Sequence, residues 1–210
     1  MQELSSLFTV AILILSVVMH EVSHGYVAYR FGDRTALFAG RLTLNPIRHL
    51  DIWGSVIIPL ILIVAHAPFP IGWARPVPYN PNNFTRRRMG TFAVAISGIL
   101  TNFALAIIFA MIIRASIAFG FATPALLTVL SIIVFINIGL GFFNAIPVPP
   151  LDGSKILFSI LPSRFVRVER FLEQYATILM IGFILILWNT DFLSPLIQFC
   201  YTLLTGIALQ

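Results

Sequence analysis

A histidine–glutamate–histidine motif is the part of this sequence best suited to chemistry. HEVSH at residues 20–24 has the form H-E-x-x-H. On a helix, positions i and i+4 share a face and lie about 6 Å apart along the axis, so both imidazoles can bind one Zn²⁺. A glutamate beside them reaches a water on the metal rather than the metal itself. The spacing therefore predicts His20 and His24 as zinc ligands and Glu21 as a catalytic base.

The surroundings of this motif favour a function over a chance match. Its three ionisable side chains fall within five positions of an otherwise apolar run. An ionisable group inside a membrane span costs at least about 2.5–3.5 kcal/mol, and a bound metal is one of the few partners that offsets this cost. We therefore expect the motif to line a polar pocket inside a membrane protein.

A catalytic zinc takes three protein ligands and keeps one position for water, so a third ligand is needed. Asp152 stands out because it ends the longest uncharged run of the chain, in NAIPVPPLDG at 144–153. The three prolines end the preceding helix, and Gly153 permits a sharp turn after the acid. This segment is compatible with Asp152 as a metal ligand and also as the N-cap of the next helix.

Long uncharged stretches identify the elements that must position these residues. The 210-residue chain is 59% hydrophobic and only 10% charged. Soluble domains are about a quarter charged, so a water-soluble globular domain and a disordered chain are both excluded. The expected fold class is an all-α polytopic membrane protein, a bundle of about five or six transmembrane helices. The helices are predicted at about 5–30, 53–66, 90–113, 125–146, 171–188 and 192–208.

The arginines predict how the bundle is oriented. They follow the first predicted helix, precede the third as Arg86, Arg87 and Arg88, and precede the fifth. Short arginine-rich loops of membrane proteins stay cytoplasmic, so the net charge of +5 reports topology, and no nucleic-acid partner is expected. We expect a multi-pass protein of the cell membrane with its active site nearer the cytoplasmic face.

The triple arginine conflicts with a single membrane crossing by 53–66, which would place it outside the cell. The prolines of 67–85 forbid a long helix, so this stretch is predicted to return as a short extended, re-entrant segment between helices two and three. An ordinary external loop is the alternative. We expect one membrane-embedded domain over residues 1–210, with a core at about 5–155 and accessory helices at about 156–210.

HEVSH in the first hydrophobic helix, together with LDG at the end of another, resembles the site-2 protease family of intramembrane zinc metalloproteases. Members carry these two motifs in two core transmembrane helices, and the two histidines and the aspartate hold the zinc. The resemblance implies that His20, His24 and Asp152 bind one Zn²⁺ and that Glu21 is the catalytic base. It also implies hydrolysis of a peptide bond within or next to a transmembrane segment of a membrane-protein substrate.

Two further segments resemble the small members of this family, which lack PDZ and CBS domains. They are GWARPVP at 72–78 and SGILTN at 97–102, where Ile99 replaces the usual proline. An extended segment at 70–80 can pair with an unwound substrate as an added strand. Interhelical hydrogen bonding is the alternative role for the intramembrane asparagines, and the role expected of Asn137. The candidates for binding substrate or lining a water path are Trp73, Arg75, Pro76, Val77, Asn102 and Asn144.

A metal or ion transporter that uses the same intramembrane cluster is the alternative function. It would carry metal across the bilayer without cleaving a peptide. Many transporters are built from internal repeats, and none is evident in this sequence. The partners expected of the protease are the lipid bilayer and a transmembrane protein substrate.

Overall fold

The chain folds into helices and short turns throughout the residues that the computed structural model describes, which are 2–51, 57, 61 and 75–207. No strand occurs in these ranges. The all-α fold class is therefore confirmed. The helices are α1 (Gln2–Arg30), α2 (Thr35–Phe38), α3 (Arg87–Ala118), α4 (Pro124–Ala145), α5 (Asp152–Ile160), α6 (Val166–Gln174), α7 (Ala176–Asn189) and α8 (Ser194–Thr205).

Three described helices are long and apolar enough to cross a membrane, namely Phe8–Arg30 within α1, and the whole of α3 and α4. A fourth span results if the bent pair Ser163–Gln174 and Ala176–Leu187 is counted as one. The count of five or six transmembrane helices stays a prediction. The helix predicted at 53–66 lies outside the described residues.

The helix predicted at 171–188 is two helices with a 72° bend between them. The chemistry of the two parts explains the break. The nine residues of α6 carry two arginines and two glutamates, whereas α7 carries no charge. A short amphipathic helix suits the membrane interface and an uncharged one suits the hydrocarbon, so a single straight helix would satisfy neither part.

The chain leaves α1 and enters α3 at the same end of the bundle. The backbone N–H of Thr85 donates to the carbonyl oxygen of Phe31 at 3.0 Å, and these residues flank the two helices. Arg86, Arg87 and Arg88 therefore lie at the same end as Arg30. The intervening chain begins and ends on one side of the bundle, which is what the re-entrant interpretation requires; residues 52–56, 58–60 and 62–74 lie outside the described ranges.

A buried carboxylate fixes the extended segment 75–80 to the end of α1. Asp33 accepts hydrogen bonds from the backbone N–H of Asn80 at 2.7 Å, from Nδ2 of Asn83 at 2.7 Å, and from the backbone N–H and hydroxyl of Thr35. Burial raises the pKa of Asp33, but these hydrogen bonds stabilise the carboxylate more, so its pKa lies below its usual range. The ionised form of Asp33 is the one that holds this turn together.

The larger buried apolar cluster of the described residues lies in the half of α3 and α4 that is farther from the arginine-rich end. Its residues follow helical spacing, so one face of each helix is buried. Small side chains on α3 allow close approach of α4 and α8, which is how helices pack where lipid offers no hydrophobic driving force. The buried residues are Ala106, Ala110 and Ile113 on α3, Leu130, Val134 and Ile138 on α4, and Tyr201 on α8.

Candidate metal centre

Three side chains from distant parts of the chain meet in one buried cluster. His20 and His24 come from α1, and Asp152 is the first residue of α5. Nε2 of each imidazole lies 3.0 Å from Oδ2 of Asp152, and the two Nε2 atoms lie 3.0 Å apart. All three residues are only 5% exposed. The structure thus brings the two histidines of the motif together with the aspartate that ends the uncharged run.

The protonation of the two imidazoles makes this cluster suitable for a cation. Nδ1 of His20 faces Oδ1 of Asn102 at 2.6 Å, and Nδ1 of His24 faces the carbonyl oxygen of Val94 at 2.7 Å. Both oxygens accept, so each Nδ1 of a neutral ring carries the proton and each Nε2 presents a lone pair.

The three converging atoms therefore fit a zinc ion. Two nitrogen lone pairs and a carboxylate oxygen repel one another at 3.0 Å unless a cation lies between them. Ligands of a tetrahedral Zn²⁺, at bond lengths of about 2.0–2.1 Å, lie roughly 3.3 Å apart, which is close to this spacing. Two histidines and one carboxylate also form the three-ligand set of a catalytic zinc, and the cluster is consistent with one ion.

Asp152 reaches this cluster because of the turn that precedes α5. The N-cap of α5 is Leu151, and Asp152 occupies the first helical position with its carboxylate directed at the histidines. Of the two roles left open by the sequence, Asp152 is therefore not the N-cap. A Cβ on Gly153 would collide with the carbonyl oxygens of Ala145 and Ile146, so glycine is required here by the close approach of α4 rather than by a sharp turn.

Gly98 on α3 lets the two imidazoles lie directly against that helix. A Cβ at this position would lie 2.5 Å from Cε1 and Nε2 of His20 and 2.6 Å from Cε1 of His24. Any side chain would displace the imidazoles from the positions in which they face Asp152. The SGILTN segment pointed to this region, but the sequence did not show that Gly98 touches both rings.

Glu21 lies beside the cluster and contacts the extended segment. Its Oε2 accepts a hydrogen bond from the backbone N–H of Val77 at 2.8 Å. Val77 is buried and packs against Gly25, one turn after Glu21 on α1. Arg75 and Pro76 are exposed next to it. Of the four predicted residues of this segment, Val77 contacts Glu21, Arg75 and Pro76 precede it in the chain, and Trp73 lies outside the described residues.

The two asparagines predicted to bind substrate or line a water path lie in different settings. Asn102 is fully buried, and its amide contacts His20 and Asn137. Asn144 is half-buried, and its Nδ2 donates to the carbonyl oxygen of Leu140 in its own helix at 3.0 Å. Their roles in substrate binding or a water path stay predictions.

Lys155, which no motif of the sequence singled out, lies close to Asp152. Its Nζ is 3.4 Å from Oδ1 of Asp152 and 5.5 Å from the ring centre of Tyr79. The signal was the i, i+3 spacing on α5, which places both side chains on one face. Lys155 also lines a cavity of about 520 Å³ that extends to Arg87, Arg88 and α6.

Comparison with known proteins identifies the family. The model for Peptidase family M50 matches residues 116–188. The chain is 41% identical over 160 residues to "Putative zinc metalloprotease YwhC" of Bacillus subtilis (strain 168), an alignment that covers 74% of this chain and 69% of that protein. It is 30% identical over 147 residues to "Putative zinc metalloprotease Rip2" of Mycolicibacterium smegmatis, covering 67% of this chain and 52% of that protein.

The family match contains Asp152, whereas HEVSH precedes it along the chain. No solved structure matches the chain. The similarity to the Bacillus relative extends over most of both chains. The chain therefore belongs to peptidase family M50, the site-2 protease family of intramembrane zinc metalloproteases.

Proposed function

We propose that this chain hydrolyses a peptide bond within or next to a transmembrane segment of a membrane-protein substrate. The observation that carries the proposal is the cluster of His20, His24 and Asp152 beside Glu21, in a protein whose long helices are apolar enough to span a bilayer. Membership of family M50 supports a protease over the alternative of a metal transporter.

In this proposal Nε2 of His20, Nε2 of His24 and the carboxylate of Asp152 hold one Zn²⁺. When bound, the ion lowers the pKa of a water to about 7 and polarises the scissile carbonyl. Glu21 moves the proton. The backbone N–H of Val77 donates to Oε2 of Glu21 and fixes this carboxylate. Oε1 of Glu21 takes a proton from the attacking water and returns it to the leaving amine.

The hydrogen-bonding groups on the main chain of residues 75–78 complement those of an unwound substrate. Pro76 and Pro78 carry no N–H, the N–H of Arg75 donates to the carbonyl oxygen of His49, and the N–H of Val77 donates to Glu21. No free backbone donor remains on residues 75–78, so a substrate strand would have to donate to the carbonyl oxygens of this segment. A helix unwound for cleavage has N–H groups that have lost their partners, and acceptors of this kind would satisfy them.

The arrangement of arginines supports an active site near the cytoplasmic face of the cell membrane. His24 lies less than two turns before Arg30, and Arg86 to Arg88 lie at the same end of the bundle. Short arginine-rich loops stay cytoplasmic. We also propose that residues 5–155 form the protease core and residues 156–210 are accessory, since every residue of the metal cluster lies in the first range.

The test is cleavage of a panel of single-span membrane proteins co-expressed with the full chain, with products identified by mass spectrometry. We expect Glu21→Gln to reduce cleavage by about 10³-fold, a typical loss for a general base, and to keep about one zinc per chain. Asp152→Ala should lower both cleavage and zinc content. The exposed Glu173 on α6 provides the matched control, because Glu173→Gln removes the same charge and should change neither.

Cleavage by Glu21→Gln at the native rate would contradict the proposed role of this glutamate. Transport of zinc into vesicles that contain the native chain, with no cleavage of any substrate in the panel, would support the transporter instead.

A further inference from the structure

A line of hydrogen-bonded side chains runs from the metal cluster into the bundle. Nδ1 of His20 on α1 contacts Oδ1 of Asn102 on α3 at 2.6 Å. Nδ2 of Asn102 donates to Oδ1 of Asn137 on α4 at 2.9 Å. Both asparagines are fully buried. The line therefore crosses three helices without contact with solvent.

The contacts of Asn137, at the far end of this line, determine which atom of each amide donates and which accepts. Nδ2 of Asn137 donates to the carbonyl oxygen of Ile133 and to Oγ of Ser16, each at 2.9 Å. A backbone carbonyl can only accept, so the amide nitrogen of Asn137 must face Ile133 and its oxygen must face Asn102. Oδ1 of Asn137 therefore accepts from Nδ2 of Asn102. With its nitrogen held by Asn137, the Asn102 amide points its oxygen toward His20.

We propose that Asn137 is a positioning residue for metal binding, because it fixes the orientation of the Asn102 amide and, through it, the tautomer of His20. The proton of His20 is held on Nδ1, and Nε2 stays free for the ion. This inference rests on the ligand set of the proposed function. It gives Asn137 a role beyond the interhelical contact expected from the sequence.

His24 shows why such a relay is needed for only one of the two rings. Its Nδ1 faces the backbone carbonyl of Val94 at 2.7 Å, and a carbonyl of a continuous helix cannot exchange its acceptor for a donor. The side-chain amide of Asn102 can, because rotation by half a turn exchanges its oxygen and its nitrogen. Without an acceptor at position 137, a rotated Asn102 would donate to Nδ1 of His20 and move the proton of that ring to Nε2.

Two substitutions at one position separate this role from packing. Asn137→Leu is similar in size and has no polar atom, so nothing holds the orientation of Asn102. Asn137→Asp keeps an oxygen that accepts from Asn102 whether or not the carboxyl is protonated. Supporting contacts of metal-bound histidines are typically worth 10–100-fold in affinity. We expect zinc affinity, measured by competition with a chelator, to fall about 10–100-fold in Asn137→Leu and to stay within roughly threefold in Asn137→Asp.

Ser16→Ala is the control for loss of a buried hydrogen bond in the same network. It removes one acceptor of Asn137 but leaves the carbonyl oxygen of Ile133 to orient the amide. Zinc affinity should therefore stay close to that of the native chain. A loss in Ser16→Ala as large as in Asn137→Leu would overturn the proposal, because the effect would then follow the number of hydrogen bonds and not their direction.

The tautomer itself is measured on the full-length chain labelled with ¹⁵N in histidine and loaded with zinc. In the native chain we expect the proton on Nδ1 of both His20 and His24. In zinc-loaded Asn137→Leu the Nδ1–H resonance of His20 should shift, because Oδ1 of Asn102 no longer accepts from it, while the Nδ1–H resonance of His24 stays in place. Asn137→Asp should show the native pattern.

Several results would overturn the role of Asn137. They are a proton on Nε2 of His20 in the native chain, native zinc affinity in Asn137→Leu, and equal losses of affinity in Asn137→Leu and Asn137→Asp. The tautomer of the native chain needs no variant, so the proposal can fail even if Asn137→Leu does not fold. Native zinc affinity in His20→Ala would instead disprove the ligand set of the proposed function, and the tautomer would still test the relay.

Discussion

The two halves of the α3–α4 pair are held together by different interactions. In the polar half, which contains Ser16, His20, Asn102 and Asn137, the helices are joined by hydrogen bonds between buried side chains. In the apolar half, which is the buried cluster from Ala106 to Tyr201 defined above, they are joined mainly by close packing. Both halves include α3 and α4, to which α1 adds Ser16 and His20 in the polar half and α8 adds Tyr201 in the apolar half.

This difference shows how a membrane bundle separates function from stability. Lipid tails are as apolar as leucine, so packing in the apolar half gains from fit rather than from exclusion of water. Polar side chains in the other half have no water to bind, so each needs a partner in a fixed direction. Substitutions in the polar half that displace a ligand or reorient its hydrogen-bond partner should therefore act on metal binding, and those in the apolar half should act on stability.

Gly98→Ala is the strongest test of the polar half. The new Cβ would lie 2.5 Å from Nε2 of His20, so the ring must leave the position in which it faces Asp152. We expect zinc affinity to fall at least about 100-fold, and cleavage by roughly a further 100-fold through misplaced ligands. Zinc content after dialysis and the cleavage assay measure the two losses.

Gly139→Ala on α4 is the matched control, because its nearest side-chain atom, Cδ1 of Ile197, would lie 3.8 Å from the added Cβ. This substitution should leave zinc content and cleavage near their native values. If Gly98→Ala kept native zinc affinity, the positions of the two imidazoles against α3 would be wrong, and metal binding would not depend on packing in the polar half.

Ile113→Ala tests the apolar half. Ile113 is completely buried among α3, α4 and α8, and truncation of a buried isoleucine costs about 2–3 kcal/mol at the lower end of the usual range. The free energy of unfolding in detergent micelles should fall by this amount, while the zinc affinity of the folded fraction stays native. Ile112 precedes it on α3 and is 38% exposed, so Ile112→Ala should change the free energy of unfolding far less. A loss of zinc affinity in Ile113→Ala would mean that the two halves are not independent.

The parts of the site that depend on local geometry could be predicted from the sequence. The i, i+4 spacing of His20 and His24 is a property of any helix, and the uncharged stretches located α1, α3 and α4 to within a few residues. Asp152 could be singled out because few acids remained and its segment breaks a helix. Its position beside the histidines required the three-dimensional structure, since chemistry alone left the N-cap role open.

The parts that depend on how helices face one another could not be predicted. Asn137 contacts Asn102 only because of the rotation of α4 against α3, which single-sequence periodicity does not determine. The contact of Gly98 with both imidazoles depends on the same packing. The break at Tyr175 was missed because hydropathy continues into the apolar face of α6, and only the alternation of charge in that helix signals that it lies at an interface.

Tyr201→Phe has the smallest expected effect and tests where the apolar half ends. Tyr201 is buried on α8, and its hydroxyl donates to Oγ of Ser131 on α4 at 2.7 Å. Hydrogen bonds between membrane helices average about 0.6 kcal/mol, so the free energy of unfolding should fall by roughly that amount with zinc binding unchanged. A double-mutant cycle with Ser131→Ala isolates the pair, and we expect a coupling of about 0.6 kcal/mol. A coupling above about 1.7 kcal/mol, the largest value typical of such pairs, would show that directional bonds also hold the apolar half together.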